Sequence, residues 1–257
     1  MEIANPGYVD GMDLLLRPSV SRPVRVLAFA TGALVIATAV GTPASAAAVT
    51  TSSVLAAAKA AIAKQSSVHL VLTMKPSSSS STEKAIGDLG EKSGAEYVSL
   101  GKANLTLKVN PTDGYVSGNS SGLTTLFGLT SAQAKKLGKD WAAVKTGTSE
   151  YSGFKSGLTI SSIMGMLPAA KGTKLSTEVV KGAKLYVLKW TAAATSSTPA
   201  LSDTMTVSAV GVTLPVEETM AASGGGKETI IFSNWGEHVV VNAPPVGSTI
   251  AYSKITG

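Results

Sequence analysis

The string Gly118-Asn119-Ser120-Ser121-Gly122 matches G-x-S-x-G, the pattern that presents a nucleophilic serine on a sharp turn between a strand and a helix. Asp140 or Asp203 and then His238 follow in the chain order of an α/β-hydrolase triad. Acyl transfer would need His238 within hydrogen-bond reach of Ser120 and a set of oxyanion donors. The chain has no His-Gly-Gly string to supply those donors, and its strands do not alternate with helices as a parallel hydrolase sheet requires. The bland alternative is a loop in which Ser120 or Ser121 caps the following helix. A serine hydrolase using Ser120 and His238 therefore stands as a remote alternative, and a non-enzymatic protein is expected.

Other strings fail sooner. Ser81-Thr82-Glu83-Lys84 and Ser152-Gly153-Phe154-Lys155 match S-x-x-K, and Lys145-Thr146-Gly147 matches K-T-G. The third string of a penicillin-recognising site should fall between them, yet Ser202-Asp203-Thr204 comes last and lacks the asparagine. Around Gly224-Gly225-Gly226-Lys227, Ala221 replaces the first glycine of a phosphate loop and Glu228 replaces its Ser or Thr. A hairpin turn between strands is expected there. Glu217 and Glu218 are neighbours on a strand, so they face opposite ways and cannot form a carboxylate dyad. With no cysteine and only His69 and His238, thiolate chemistry and a three-histidine zinc site are both excluded within the chain. No metal and no cofactor are expected.

Composition narrows the class. The chain has 257 residues, of which 44% are hydrophobic, 15% charged and 5% aromatic, with a net charge of +6. Such low charge argues against a polyelectrolyte or a coiled coil, and the length allows a sizeable core. Arg17, Arg22 and Arg25 are the only arginines; the scattered lysines that follow lack the guanidinium forks used on guanine edges and phosphates. No nucleic-acid partner is expected.

Those arginines precede an uncharged apolar run, Val26 to Val40, and Ala44-Ser45-Ala46 follows it. A basic start, a short apolar stretch and an Ala-x-Ala site specify a secretory signal over residues 1–46, with cleavage after Ala46. An uncleaved N-terminal signal anchor is the alternative, and Met12 competes with Met1 as the start. The remaining residues, 47–257, are read as one extracytoplasmic domain, secreted or held in the cell envelope, and monomeric.

Within that domain, helical spacing is expected from Ser52 to Ser67 and strand alternation from Val68 to Met74. Pro76 to Ser81 reads as a loop. Leu105, Leu107 and Val109 form a strand that turns at Asn110–Gly114 into a second, Tyr115–Gly118. Helices follow around Leu123–Leu129 and Ser131–Leu137, a strand at Trp141–Thr146, and a helix at Thr159–Leu167. From Lys174 onward the pattern is strand after strand, including Leu185–Trp190, Thr204–Ala209, Leu214–Met220, Thr229–Asn234 and Glu237–Asn242. Two strand blocks flanking a helical insert indicate an α+β fold with helices on one face of an antiparallel sheet.

Ser67-Val68-His69, Asp113–Asn119, Asp140-Trp141-Ala142-Ala143-Val144, Val207–Val216 and Phe232–Glu237 with Ala243-Pro244-Pro245 resemble segments of the LppX/LprA/LprF/LprG family of actinobacterial envelope proteins. The resemblance implies a LolA-like fold: a curved antiparallel half-barrel sheet, helices on its concave face, and an apolar cavity for lipid or lipoglycan. Lipoprotein members carry an acylated cysteine after the signal, whereas Ala47 stands here, so tethering by that lipid is excluded. The helical insert carries Leu123, Leu126, Phe127, Ile160, Ile163, Met164 and Leu167, and the first strand Leu70, Leu72 and Met74. A helix face covering a sheet explains these residues, but thioethers suit adaptable surfaces and Gly128, Gly157 and Gly165 weaken the helices. With the resemblance added, they are the expected lining of a lipid cavity in a carrier that contacts membranes peripherally. The alternative is an envelope interaction module with a filled core.

Overall fold

The computed structural model describes residues 48–77, 81–193 and 200–257. The expected signal and its cleavage site lie outside the described residues, as do Ser78–Ser80 of the serine-rich loop.

Helix α1 (Thr51–Ile62) is fixed at its start by a reciprocal cap between Thr50 and Ser53, and buries Val54, Leu55, Ala58, Ala61 and Ile62. A first meander follows: β1 (Ser67–Lys75), β2 (Glu83–Gly90), β3 (Gly94–Leu100), β4 (Ala103–Val109) and β5 (Asp113–Gly118). The insert comprises α2 (Ser120–Thr125), α3 (Ser131–Leu137), β6 (Trp141–Lys145), α4 (Ser149–Gly157) and α5 (Ser161–Met166). A second meander runs through β7 (Lys174–Val180), β8 (Ala183–Ala192), β9 (Leu201–Ser208), β10 (Pro215–Ala222) and β11 (Lys227–Ser233). The chain closes with β12 (Thr249–Ala251) and α6 (Tyr252–Thr256).

Because β1 pairs with both β2 and β11, the two meanders join into one open 12-stranded sheet, ordered β12-β6-β5-β4-β3-β2-β1-β11-β10-β9-β8-β7. Every neighbouring pair is antiparallel except β12 with β6. The α+β class and the open half-barrel are as the sequence leads one to expect.

Register defines an inner face. Leu70 lies opposite Phe232 and Gly87, Leu72 opposite Ile230 and Ala85, and Val98 opposite Leu105. These residues join α1, α2, α4 and α5 in one buried cluster. Helices α2 and α4 pack on β4 and β5, and α6 packs on β6. The outer face is wet: Ile86, Tyr97 and Ile231 are all 45% or more exposed.

Three expectations need correction. Glu237–Asn242 forms no strand, because β2 and β11 already occupy both edges of the adjacent β1. The cap of α2 is Asn119 rather than Ser120 or Ser121. The first helix stops at Ile62 rather than Ser67, because β1 begins at Ser67. Strand β2 and helix α4 occupy segments with no apolar period. Among the described residues no helix is long and apolar enough to cross a membrane.

Candidate ligand-binding site

Where α2, α4 and α6 meet β6, the structure holds a hollow of about 340 Å³ lined by Phe127, Val144, Gly153, Phe154 and Tyr252, with Ser149 and Glu150. The Phe127 ring stands edge-on to Phe154 and to Tyr252, each centroid 6.1 Å away. Local rules set these positions. Thr148 caps α4 by accepting from the Tyr151 N–H, which turns Tyr151 and Phe154 together onto the sheet. The Tyr151 hydroxyl then donates to the Asn110 carbonyl at 2.8 Å. Phe154 fits over β5 because residue 114 is glycine: a Cβ there would lie 3.0 Å from the Phe154 Cγ. Burial, and then the Glu150 carboxylate, push the Tyr252 phenol above its ordinary range, so it stays a neutral hydroxyl.

The cavity residues expected from sequence divide between hollows and core. Phe127 lines the aromatic hollow, and Met74 lines a second hollow. Leu72, Leu123, Leu126 and Ile163 are 2% exposed or less and belong to the buried cluster, as do Leu70, Ile160 and Leu167. Met164 packs against that cluster half-buried. Sequence reasoning missed Phe154 and Tyr252: Phe154 sits in a Ser/Gly-rich segment, and Tyr252 reaches the hollow only through the remote pairing of β12 with β6.

The second hollow, about 110 Å³, is lined by Met74, Pro76, Leu201, Met220, Ala222 and Glu228, with Lys75 and Lys227. It belongs to an end row of the inner face. Register sets Leu100, Glu83, Met74, Glu228, Met220, Asp203 and Trp190 side by side across β3, β2, β1, β11, β10, β9 and β8. Glu83, Glu228 and Asp203 are all 7% exposed or less, and so are Glu96 and Glu218 deeper on the same face. Burial raises the Glu83 carboxyl. Burial, then the charges of Glu83 and Asp203, raise Glu228 to about 7. Burial and then Glu83 do the same for Glu96.

The two histidines meet on the other side. His69 Nδ1 lies 2.7 Å from Asp88 Oδ1 on the outer face. His238 shares a hollow of about 250 Å³ with His69, Asp88, Ser67 and Glu237. Ser120 starts α2, which packs on the inner face over β4 and β5. The serine and histidine of the hypothetical triad therefore stand on opposite faces of the sheet. Among the described residues no group of His, Cys, Asp and Glu could hold a metal ion.

No family model matches the chain, and no curated protein does. In its fold the protein is similar to the lipoprotein LppX of Mycobacterium tuberculosis, with 17% identity, a TM-score of 0.46, and coverage of 74% of this chain and 99% of that one. It is similar also to LprF from Mycobacterium bovis, with 12% identity, a TM-score of 0.48, and coverage of 76% and 96%. A third likeness is to the Pseudomonas aeruginosa MucA/MucB complex, with 14% identity, a TM-score of 0.36, and coverage of 74% and 58%.

Proposed function

We propose that the protein is a non-enzymatic carrier or binder of a lipid or other amphipathic ligand in the cell envelope. The aromatic hollow between α2, α4, α6 and β6 carries this reading: at about 340 Å³ it lies in the range of small-ligand sites. Its walls are Phe127, Phe154 and Tyr252 and its floor is Val144, so an acyl chain entering it leaves water for apolar contact. Each buried methylene contributes about 0.8 kcal/mol. Affinity of that origin needs no nucleophile, metal or cofactor. A signal over residues 1–46 would deliver such a carrier outside the cytoplasm, where a chain without cysteine has no thiol to oxidise.

The test is fluorescence of 1-N-phenylnaphthylamine with the exported protein. Enhancement that competes with fatty acid and falls at least fivefold in Phe127→Arg is the expected result. No enhancement with folded protein would refute the proposal.

One observation favours a second reading, an interaction module. Among the described residues strand β7 is an unpaired edge of the sheet, and Val179 and Val180 on it are 70% and 45% exposed. Such an edge can accept an extended peptide as a thirteenth strand.

A further inference from the structure

The end row of the inner face places acid among thioether and aromatic side chains. Glu228 is flanked in register by Met74 on β1 and Met220 on β10, with Glu83 on β2 and Asp203 on β9 one strand further out on either side. Strands repeat every 4.7–4.9 Å, so successive carboxylates in the row stand about 10 Å apart. Glu228 is 7% exposed and lines the hollow of about 110 Å³, and among the described residues its carboxylate has no side-chain hydrogen bond or ion pair. The chain's lysines do not answer it. Lys75 and Lys227 border the hollow but belong to the opposite phase of β1 and β11, where they face each other across the outer side.

A buried carboxylate without a cation is unstable as an anion. It is relieved by taking a proton or by receiving a positive group. An apolar recess with thioethers on two sides and a carboxylate at its base suits an alkylammonium, whose carbon atoms need apolar contact while its charge needs an anion.

We propose that the hollow formed by Met74, Leu201, Met220 and Glu228 is a head-group subsite for a cationic amphiphile, one carrying a primary amine or a quaternary ammonium. The inference rests on the carrier reading and deepens it, since it assigns a charge to the ligand. The charged groups facing Glu228 are carboxylates: Glu83 from β2 and Asp203 from β9 in its own row, with Glu218 of β10 one step along the same face. Binding a cation therefore displaces protons from the row, and affinity rises with pH through the range in which Glu228 ionises, about 7. Trp190, at the far end of the row opposite Asp203, is a built-in reporter.

The experiment titrates the exported protein with decyltrimethylammonium, decanesulfonate and decyl maltoside, each below its micelle concentration. It is read by tryptophan fluorescence and calorimetry at pH 5.5 and pH 8.5. The head groups are permanently charged or neutral, so any pH dependence belongs to the protein. The cationic probe is expected to bind at least tenfold more tightly than the anionic one at pH 8.5, and to lose most of that preference at pH 5.5. Glu228→Gln should abolish the preference while decyl maltoside binds as before, which also certifies the fold of the variant. Equal binding of the three probes would overturn the inference and leave the carrier reading standing. Binding of none would overturn both. Preference that persists in Glu228→Gln would overturn the assignment to this hollow.

Discussion

A Cβ added to Gly122 would lie 1.8 Å from the carbonyl oxygen of Asn104. Gly118, four residues earlier, is nearly as tight, at 2.4 Å from the same oxygen. Gly122 thus lets the first turn of α2 press onto β4, and Gly118 lets the end of β5 approach the same strand. Asn119 between them accepts from the Gly122 N–H at 2.7 Å and donates to the Lys102 carbonyl at 2.7 Å. The string is a packing device, and the serines have no part in it.

Gly122→Ala should therefore destabilise the protein by more than about 3 kcal/mol, because backbone must move to admit a methyl group. Ser120→Ala should change stability by less than about 0.5 kcal/mol. Urea denaturation of the two variants separates them. A mild Gly122→Ala would contradict the close approach of α2 to β4.

The buried carboxylates make stability fall as pH rises. Glu96 and Glu228 are raised from 4.5 to about 7 in the folded chain, so the folded state holds protons that the unfolded state has released. Their contribution is greatest below pH 4.5 and is lost as pH rises through 7, on the order of 3 kcal/mol for each. Glu228→Gln and Glu96→Gln should raise the melting temperature at pH 8.5 by several degrees and leave it nearly unchanged at pH 4.5. A melting curve for each variant at both pH values checks this.

Phe154 and Phe127 should separate stability from binding. Phe154 is 5% exposed and fills the space over Gly114, so Phe154→Ala should cost about 3 kcal/mol or more. Phe127 is only partly buried, so Phe127→Ala should cost less while weakening binding of an apolar dye severalfold. Equal losses of stability would show that the hollow is merely part of the core.

The exposed edge at β7 makes a prediction for the second reading. Val179→Lys places charge on an unpaired edge strand and should suppress any self-association or strand capture. Analytical ultracentrifugation of both forms reads the outcome. Identical sedimentation at high concentration would leave the edge without that role.

Much of the sheet was legible because its inner positions are large and apolar. In β4, Leu105, Leu107 and Val109 alternate with polar residues, and the observed burial follows that alternation. Strand β2 was hidden because its pattern is inverted. Its inward positions are Glu83, Ala85 and Gly87, while Ile86 points into water. The run Val239-Val240-Val241 misled in the opposite sense, since β-branched residues make a strand only where a ladder edge is free. Helix α4 buries only Tyr151 and Phe154, too little for a period, and depends on its Thr148 cap. The acidic row did carry a signal: Asp203 shares the phase of Met205 and Val207, and Glu228 that of Ile230 and Phe232. That the three strands align their acids at one end is a matter of register, which no single strand discloses.

The most direct test of the carrier reading is native mass spectrometry of the protein exported from an envelope-bearing host, followed by organic extraction. The account predicts a mass excess that is released on unfolding, recovered as a lipid, and diminished in Phe127→Arg. A clean apo mass from hosts of several lipid compositions, with the protein folded, would contradict it.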